Sequence, residues 1–362
     1  MSIQRRNYYS NLSPHSKINQ HISRIIMVLP NNPRLQLATK RLLTLSHDTS
    51  YLSTLLNDRG YAPTSHPLLS LEATAIVKDR MDKLFRGEFE TGIYPDEWHW
   101  REGISKPNAA REICNSWKSD RSIAAIVLSE KIGAFISRVM GWESVRIAQD
   151  DLVWKVPSVQ QQPHTDVRRI DTVGFHQDSA YISNQFEPYD NNSVTLWIAL
   201  DDVENDSGCL EYAVGSHKWK PLQHRMNGEE EVPSSAIDKE ISDFHSSDES
   251  SYRQGLSLAA RLAGVSGNQI EIEKMPVKEG YAILHHQDIY HGSAPNRRSR
   301  HRRALVAHYI RGDVEFRQDR GATYIYGRYK RYNSVALDDT FFPIIYGNKR
   351  TEWLDDYITT RR

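Results

Sequence analysis

Two short blocks over a hundred residues apart constrain this 362-residue chain most: Phe175-His176-Gln177-Asp178-Ser179 and His291-Gly292-Ser293-Ala294-Pro295-Asn296. On an extended strand, residues i and i+2 point to the same face, so the imidazole of His176 and the carboxylate of Asp178 can converge on one metal ion. His291, returning on a neighbouring strand, completes a 2-His-1-carboxylate set. Such a set covers one face of an octahedron, leaves the other positions open and suits non-haem Fe(II). Any fold for this chain must therefore set two distant strands side by side.

The His-x-Asp pair alone is weak evidence, because it also occurs as His164-Thr165-Asp166 and His286-Gln287-Asp288. The first lies in a polar stretch with Pro163 and paired charges, which reads as a loop. The second sits just before His291 and has no comparably placed partner downstream. The copy at 176 follows Val173-Gly174-Phe175 and has chain enough to meet His291. Most lone His-x-Asp pairs are satisfied polar residues on a sheet; the set of His176, Asp178 and His291 reads as a ligand set.

Composition removes several classes of function. The chain has 46 basic and 46 acidic residues, so it has no bulk charge to attract nucleic acid. With 39% apolar and 25% charged residues it reads as a globular protein of one large domain or two. Cys114 and Cys209 are too few for a disulfide framework or a structural zinc site, and point to a reducing compartment. Apolar runs such as Ile123-Ala124-Ala125-Ile126-Val127-Leu128 are far too short to span a bilayer. No acidic residue precedes Asp48, whereas arginine, lysine, serine and asparagine are frequent there. That composition fits an organelle transit segment, a basic extension or a packed first helix. Residues 1–68 are therefore set apart as an N-terminal extension, with the cytoplasm as the expected location and an organelle (mitochondrion or plastid) as the alternative.

Periodicity predicts helices over 69–84 (capped by Ser70), 109–117 and 121–140, the last ending before Gly141. Strands are expected at 145–148, 152–156, 173–176, 194–200, 209–214, 270–272, 282–284 and 304–310. A helical half followed by short strands predicts an α+β, mainly β chain: an antiparallel sandwich or barrel with helices on one face. Residues 222–274 read as a polar, acidic insertion with a helix near 256–262, either a lid or a surface loop.

The order and spacing of several blocks resemble the phytanoyl-CoA dioxygenase family of Fe(II)/2-oxoglutarate oxygenases over roughly 92–311. These are Phe175-His176-Gln177-Asp178, Thr195-Leu196-Trp197-Ile198-Ala199-Leu200-Asp201-Asp202, Gly208-Cys209-Leu210-Glu211, Gly215-Ser216-His217-Lys218-Trp219, His291-Gly292-Ser293 and Arg302-Arg303-Ala304-Leu305. The resemblance implies a double-stranded β-helix (a jelly roll) with supporting N-terminal helices, spanning a dioxygenase domain at 69–362. It also implies Fe(II), with 2-oxoglutarate and O2 as cosubstrates. The family's arginine falls on Arg302, whose guanidinium suits two-point binding of the distal carboxylate of 2-oxoglutarate. Arg302, Ala304 and Val306 share one strand face; Arg303 lies on the other and is the rival if the register slips. Ser293 can donate to the same carboxylate, and Arg297, Arg298 and Arg300 read as a solvated turn. Trp197 and Gln149 match cosubstrate-contact positions, with core packing an equal reading for Trp197, and Lys155 matches a recurrent family lysine. His217, His285 and His286 are histidines that the family pattern does not use as ligands.

The reaction implied is hydroxylation of an unactivated C–H bond in a small-molecule metabolite, with release of succinate and CO2. Related halogenases carry a small residue where this chain has Asp178, which argues against chloride at the metal. Desaturation or oxidative cyclisation by the same oxidant is the alternative. From other classes, a zinc-dependent hydrolase could use the same triad, and a non-catalytic jelly-roll binding protein would need none. Tyr94, Trp98, Trp100, Tyr181 and Phe186 are candidates to line a pocket, with core packing the ordinary reading of each. No nucleic-acid partner or membrane span is expected, and no feature specifies an oligomeric state.

Overall fold

The computed structural model describes residues 47–157, 172–219, 252–319 and 321–360. The His164-Thr165-Asp166 pair, most of the N-terminal extension and the first part of the polar insertion lie outside these residues.

The described chain opens with α1 (Thr49–Arg59), β1 (Tyr61–Pro63) and α2 (Leu71–Phe85), followed by β2 (Glu97–Trp98) and β3 (Arg111–Cys114). Helices α3 (Arg121–Val127) and α4 (Glu130–Met140) lead into the long β4 (Val145–Lys155). Then come β5 (Val173–His176), β6 (Phe186–Glu187), β7 (Ser193–Ala199), β8 (Leu210–Ala213) and α5 (Gln254–Leu262). The C-terminal part holds β9 (Ile272–Met275), β10 (Ala282–His286), β11 (His291–Ser293), β12 (Arg302–Arg311), β13 (Glu315–Phe316), β14 (Ile344–Tyr346) and α6 (Leu354–Thr359).

Helix α2 forms where Ser70 accepts a hydrogen bond from the Ala73 amide at 3.2 Å, with Glu72 in the first turn. Ala73, Val77, Met81 and Leu84 then recur on one buried stripe. The single helix expected over 121–140 is two. Asp120 caps α3, which stops at Leu128, and α4 restarts after Ser129 and ends at Gly141 in the left-handed region (φ 71°). The helix expected at 109–117 is instead β3 and a single tight turn. Ala109, Ile113 and Trp117 would suit a helical stripe, but the backbone pairs instead with β4 from Arg111↔Trp154 to Cys114↔Asp151.

An eight-stranded sheet runs β1-β10-β7-β12-β4-β3-β2, with β14 also on β4; a four-stranded sheet runs β5-β11-β8-β9. All the described pairings are antiparallel, and the two sheets form the jelly roll. Strand β1 pairs with β10 and α1 packs on α4, so residues 49–63 lie against the large sheet and its helices.

The large sheet has two distinct faces. Leu305, Ala307 and Tyr309 of β12, with Leu196 and Ile198 of β7, pack against α2 and α4 in the main core. Burying each of the leucine and isoleucine side chains is worth about 1.5–3 kcal/mol. The opposite face, carrying Arg302, Ala304, Val306 and His308 of β12, looks toward the small sheet. Register places Val306 between Asp151 and Trp197, and His308 between Gln149 and Thr195. No helix among the described residues is long and apolar enough to cross a membrane.

Candidate active site

His176 and His291 are direct cross-strand partners on β5 and β11. Strand β5 ends at His176, so Asp178 opens a one-turn 3-10 segment instead of continuing the strand. Gln177 is still extended (φ −115°, ψ 134°), which keeps the alternation as far as Asp178. Oδ1 of Asp178 lies 3.5 Å from Nε2 of His176 and 3.6 Å from Nε2 of His291. All three ligand atoms fall within 4.8 Å of one another. Cis ligands about 2.1 Å from a metal sit roughly 3 Å apart, so the donors fit one ion with little movement.

The tautomers agree. Nδ1 of His176 meets the Gly174 carbonyl at 2.9 Å, and Nδ1 of His291 meets the Ile289 carbonyl at 3.0 Å. A carbonyl only accepts, so both Nδ1 atoms carry the proton and both Nε2 lone pairs face the triad. Burial works against ionisation of Asp178, yet His291, His176 and His285 hold its carboxyl well below the usual carboxylate range. Burial and the imidazoles of His176 and His285 keep His291 neutral. A carboxylate and two imidazole Nε2 atoms make the donor set of a divalent first-row metal.

Arg302 is 2% exposed, on the inner face of β12, with its guanidinium carbon 4.8 Å from the centre of the Trp197 ring. Arg303 points the other way and is engaged by Asp201, Nε to Oδ2 at 2.9 Å and a terminal nitrogen to Oδ1 at 2.8 Å. Lys155, fully buried opposite Arg302, donates to the carbonyls of Ser293 at 3.2 Å and Ala294 at 2.7 Å. It thereby fixes the segment after His291, and Ser293 is buried at the end of β11. Gln149 donates to Asp151 at 2.7 Å and accepts from the Tyr326 hydroxyl at 3.0 Å. Arg298 forms exposed ion pairs with Glu204 and Asp206, as expected of a solvated turn.

Histidines outside the ligand set hold the local and near-pocket places expected of them, whereas most of the aromatic candidates lie elsewhere. His285 touches the site, its Nε2 lying 2.9 Å from Oδ2 of Asp178. His217 instead satisfies a local carbonyl, that of Asn57, at 2.9 Å. Of the five aromatic candidates, only Tyr181 lies against a ligand, 6.2 Å from the His176 ring. Tyr94 is exposed, Trp98 packs on Phe89, Trp100 on Phe85, and Phe186 is core.

The motifs assign no role to several residues at the site. Thr195 and His308 bond to one another at 2.8 Å, and His308 reaches Asp151 at 3.0 Å. Burial disfavours charge on His308, but Asp151 and Asp178 hold its pKa above the ordinary histidine value. Alternation could have found both residues: Thr195 is two before Trp197, and His308 six beyond Arg302. Glu112, Cys114 and Asp151 form a second convergent group on the same wall. Burial and the Asp151 carboxylate push Glu112 up to about 8. A folded-state pKa above the unfolded one means that the native protein binds this proton more tightly, so stability falls as pH rises from about 4.5 toward 8. Glu112→Gln should flatten that part of the stability profile, read by denaturant titration at several pH values. An unchanged slope would show that Glu112 ionises freely.

A family model for phytanoyl-CoA dioxygenase matches residues 57–304, well over half the chain. The chain belongs to the phytanoyl-CoA dioxygenase family. That family is one of Fe(II)/2-oxoglutarate-dependent dioxygenases, which favours this chemistry over a zinc hydrolase or a binding protein. A curated relative from Stutzerimonas stutzeri, described as a probable alpha-ketoglutarate-dependent hypophosphite dioxygenase, is 28% identical over 195 residues, 53% of this chain and 54% of its own. The chain thus matches about half the length of that relative. The fold is also that of the alpha-ketoglutarate-dependent epimerase SnoN of nogalamycin biosynthesis (TM-score 0.56, 15% identity, 82% of this chain and 98% of that one). The carbocyclase SnoK of the same biosynthesis gives a TM-score of 0.55 at 18% identity over 81% of this chain and 95% of its own. At such identities the likeness speaks for the fold alone.

Proposed function

We propose that this dioxygenase hydroxylates an unactivated C–H bond of a small-molecule metabolite, with His176, Asp178 and His291 holding its iron. The convergence of one ionised carboxylate and two Nε2 lone pairs beneath a buried arginine carries the reading. Iron, when bound, supplies the coupling of 2-oxoglutarate decarboxylation to substrate oxidation by O2. The chain's own residues bind and orient. The guanidinium of Arg302 receives the distal carboxylate of 2-oxoglutarate through two parallel hydrogen bonds, and Ser293 donates to the same group. Trp197 supports the guanidinium from its ring face. Lys155 keeps the segment after His291 in register with β12, and Gln149 lines the cosubstrate side. Asp178 occupies the position a halide would need, and its charge opposes a second anion there.

Turnover in chloride-containing buffer should give a product one oxygen heavier, with that oxygen derived from labelled O2. A desaturated or cyclised product would change the outcome but keep the oxidant; a chlorinated product would remove Asp178 from the ligand set. The dioxygenase domain is proposed to run through residues 69–362, with α1 and β1 joined to it. Cys114 and Cys209 are both buried and free, which suits a reducing compartment, and the cytoplasm is the proposed location.

A further inference from the structure

The two carboxylate oxygens of Asp178 have different surroundings. Oδ1 faces the two ligand imidazoles, whereas Oδ2 receives the hydroxyl of Thr195 at 2.5 Å and Nε2 of His285 at 2.9 Å. Thr195 and His285 are cross-strand partners on β7 and β10 of the large sheet. Asp178 belongs to the turn after β5 of the small sheet, so this pair of bonds ties one sheet to the other beside the triad.

Both donors are fixed from behind. A carboxylate only accepts, so the hydrogen of the Thr195 hydroxyl goes to Asp178 and its oxygen accepts from Nδ1–H of His308 at 2.8 Å. Nε2 of His308 is in turn held by Asp151 at 3.0 Å. By the same reasoning Nε2 of His285 carries the proton, and its Nδ1 accepts from the Tyr212 hydroxyl at 2.9 Å. Tyr212 is stacked on Tyr61 at 4.3 Å, which fixes its position. Neither donor can turn away without breaking a second buried hydrogen bond and leaving a buried group unpaired.

A metal-bound carboxylate can coordinate through one oxygen or through both. The facial set leaves three octahedral positions; a 2-oxo acid chelate takes two, and O2 needs the last. Coordination by both oxygens of Asp178 would fill it. We propose that Thr195 and His285 are positioning residues that hold Oδ2 off the metal, so that Asp178 coordinates through Oδ1 alone and one position stays open for O2. This inference rests on the iron and 2-oxoglutarate reading above.

The test uses Co(II) as a non-turnover metal. Crystals of the full chain with Co(II) and 2-oxoglutarate should show only one Asp178 oxygen within about 2.0–2.2 Å of the metal. Thr195→Val removes the donor and keeps the shape of the side chain, and both oxygens should then coordinate. With Fe(II), O2-dependent consumption of 2-oxoglutarate by this variant should fall about 10- to 100-fold, while Co(II) affinity changes no more than about threefold. Thr195→Ser, which restores the hydroxyl, should recover both properties; a purely structural role for the threonine methyl would not. If Thr195→Val does not fold, His285→Phe removes the other donor and carries the same expectations. One-oxygen coordination when Thr195→Val and His285→Phe are combined, or undiminished consumption by Thr195→Val, overturns the proposal. Wild-type protein that binds no Co(II) at His176, Asp178 and His291 would overturn the underlying reading, a result seen before any variant is made.

Discussion

His291→Ala should abolish iron-dependent consumption of 2-oxoglutarate, a loss beyond the roughly 10- to 100-fold seen when partners outside the ligand set are removed. The imidazole contributes one of only three protein donors, and Nδ1 is already committed to the Ile289 carbonyl at 3.0 Å, so no other atom of the segment can substitute for Nε2. His285 is close, but its two nitrogens serve Asp178 and Tyr212. Metal content after dialysis should drop together with turnover. The folded state should survive, because the strand pairing of β11 with β5 and β8 uses backbone groups. His286→Gln is the control: His286 belongs to another His-x-Asp pair and accepts from the Asp288 amide at 3.1 Å, so turnover should stay near that of the wild type. Retained metal and turnover in folded His291→Ala would remove His291 from the ligand set.

Local rules made much of this architecture legible. Ser70 with an apolar stripe announces α2, and Gly141 announces the end of α4, because caps and periodicity act within a few residues. Period-two alternation likewise separates Arg302 from Arg303: one faces the interior and the other meets Asp201. Strand β3 was not legible, because Arg111 to Cys114 takes its conformation from pairing with β4, a long-range effect that no window of residues contains. The break between α3 and α4 was missed because Leu128 and Ser129 are both tolerated within a helix. Around the triad, motif residues were recognisable because a metal demands particular atoms. Thr195, His308 and Asp151 act through one another, and only the cross-strand register brings them together. For the aromatic candidates core packing is the reading that holds for most, with Tyr181 beside His176, because composition tells which side chains are large and not which face of a strand or loop they occupy.

Replacing Arg302 by lysine should raise the apparent Michaelis constant for 2-oxoglutarate by about 10- to 100-fold, the factor that corresponds to losing a charge-assisted hydrogen bond of about 1.5–3 kcal/mol. The charge survives this change. What disappears is the planar, two-point geometry, and the shorter reach of an ammonium group cannot replace it. Arg302 is enclosed at 2% exposure and packed against Trp197, so a lysine there would also pay for desolvation without recovering the ring contact. Iron binding should be nearly intact, since Arg302 lies on the large sheet while His176 and His291 lie on the small one. Arg303→Lys provides the contrast. It disturbs a partly exposed pair with Asp201 on the opposite face, for which a cost within about 1 kcal/mol of stability is expected and no change in the Michaelis constant. Titrating 2-oxoglutarate at saturating Fe(II) in both variants separates the two arginines. If Arg303→Lys carries the larger increase, the distal carboxylate is held from the other face of β12 and the cosubstrate site must be rebuilt around it.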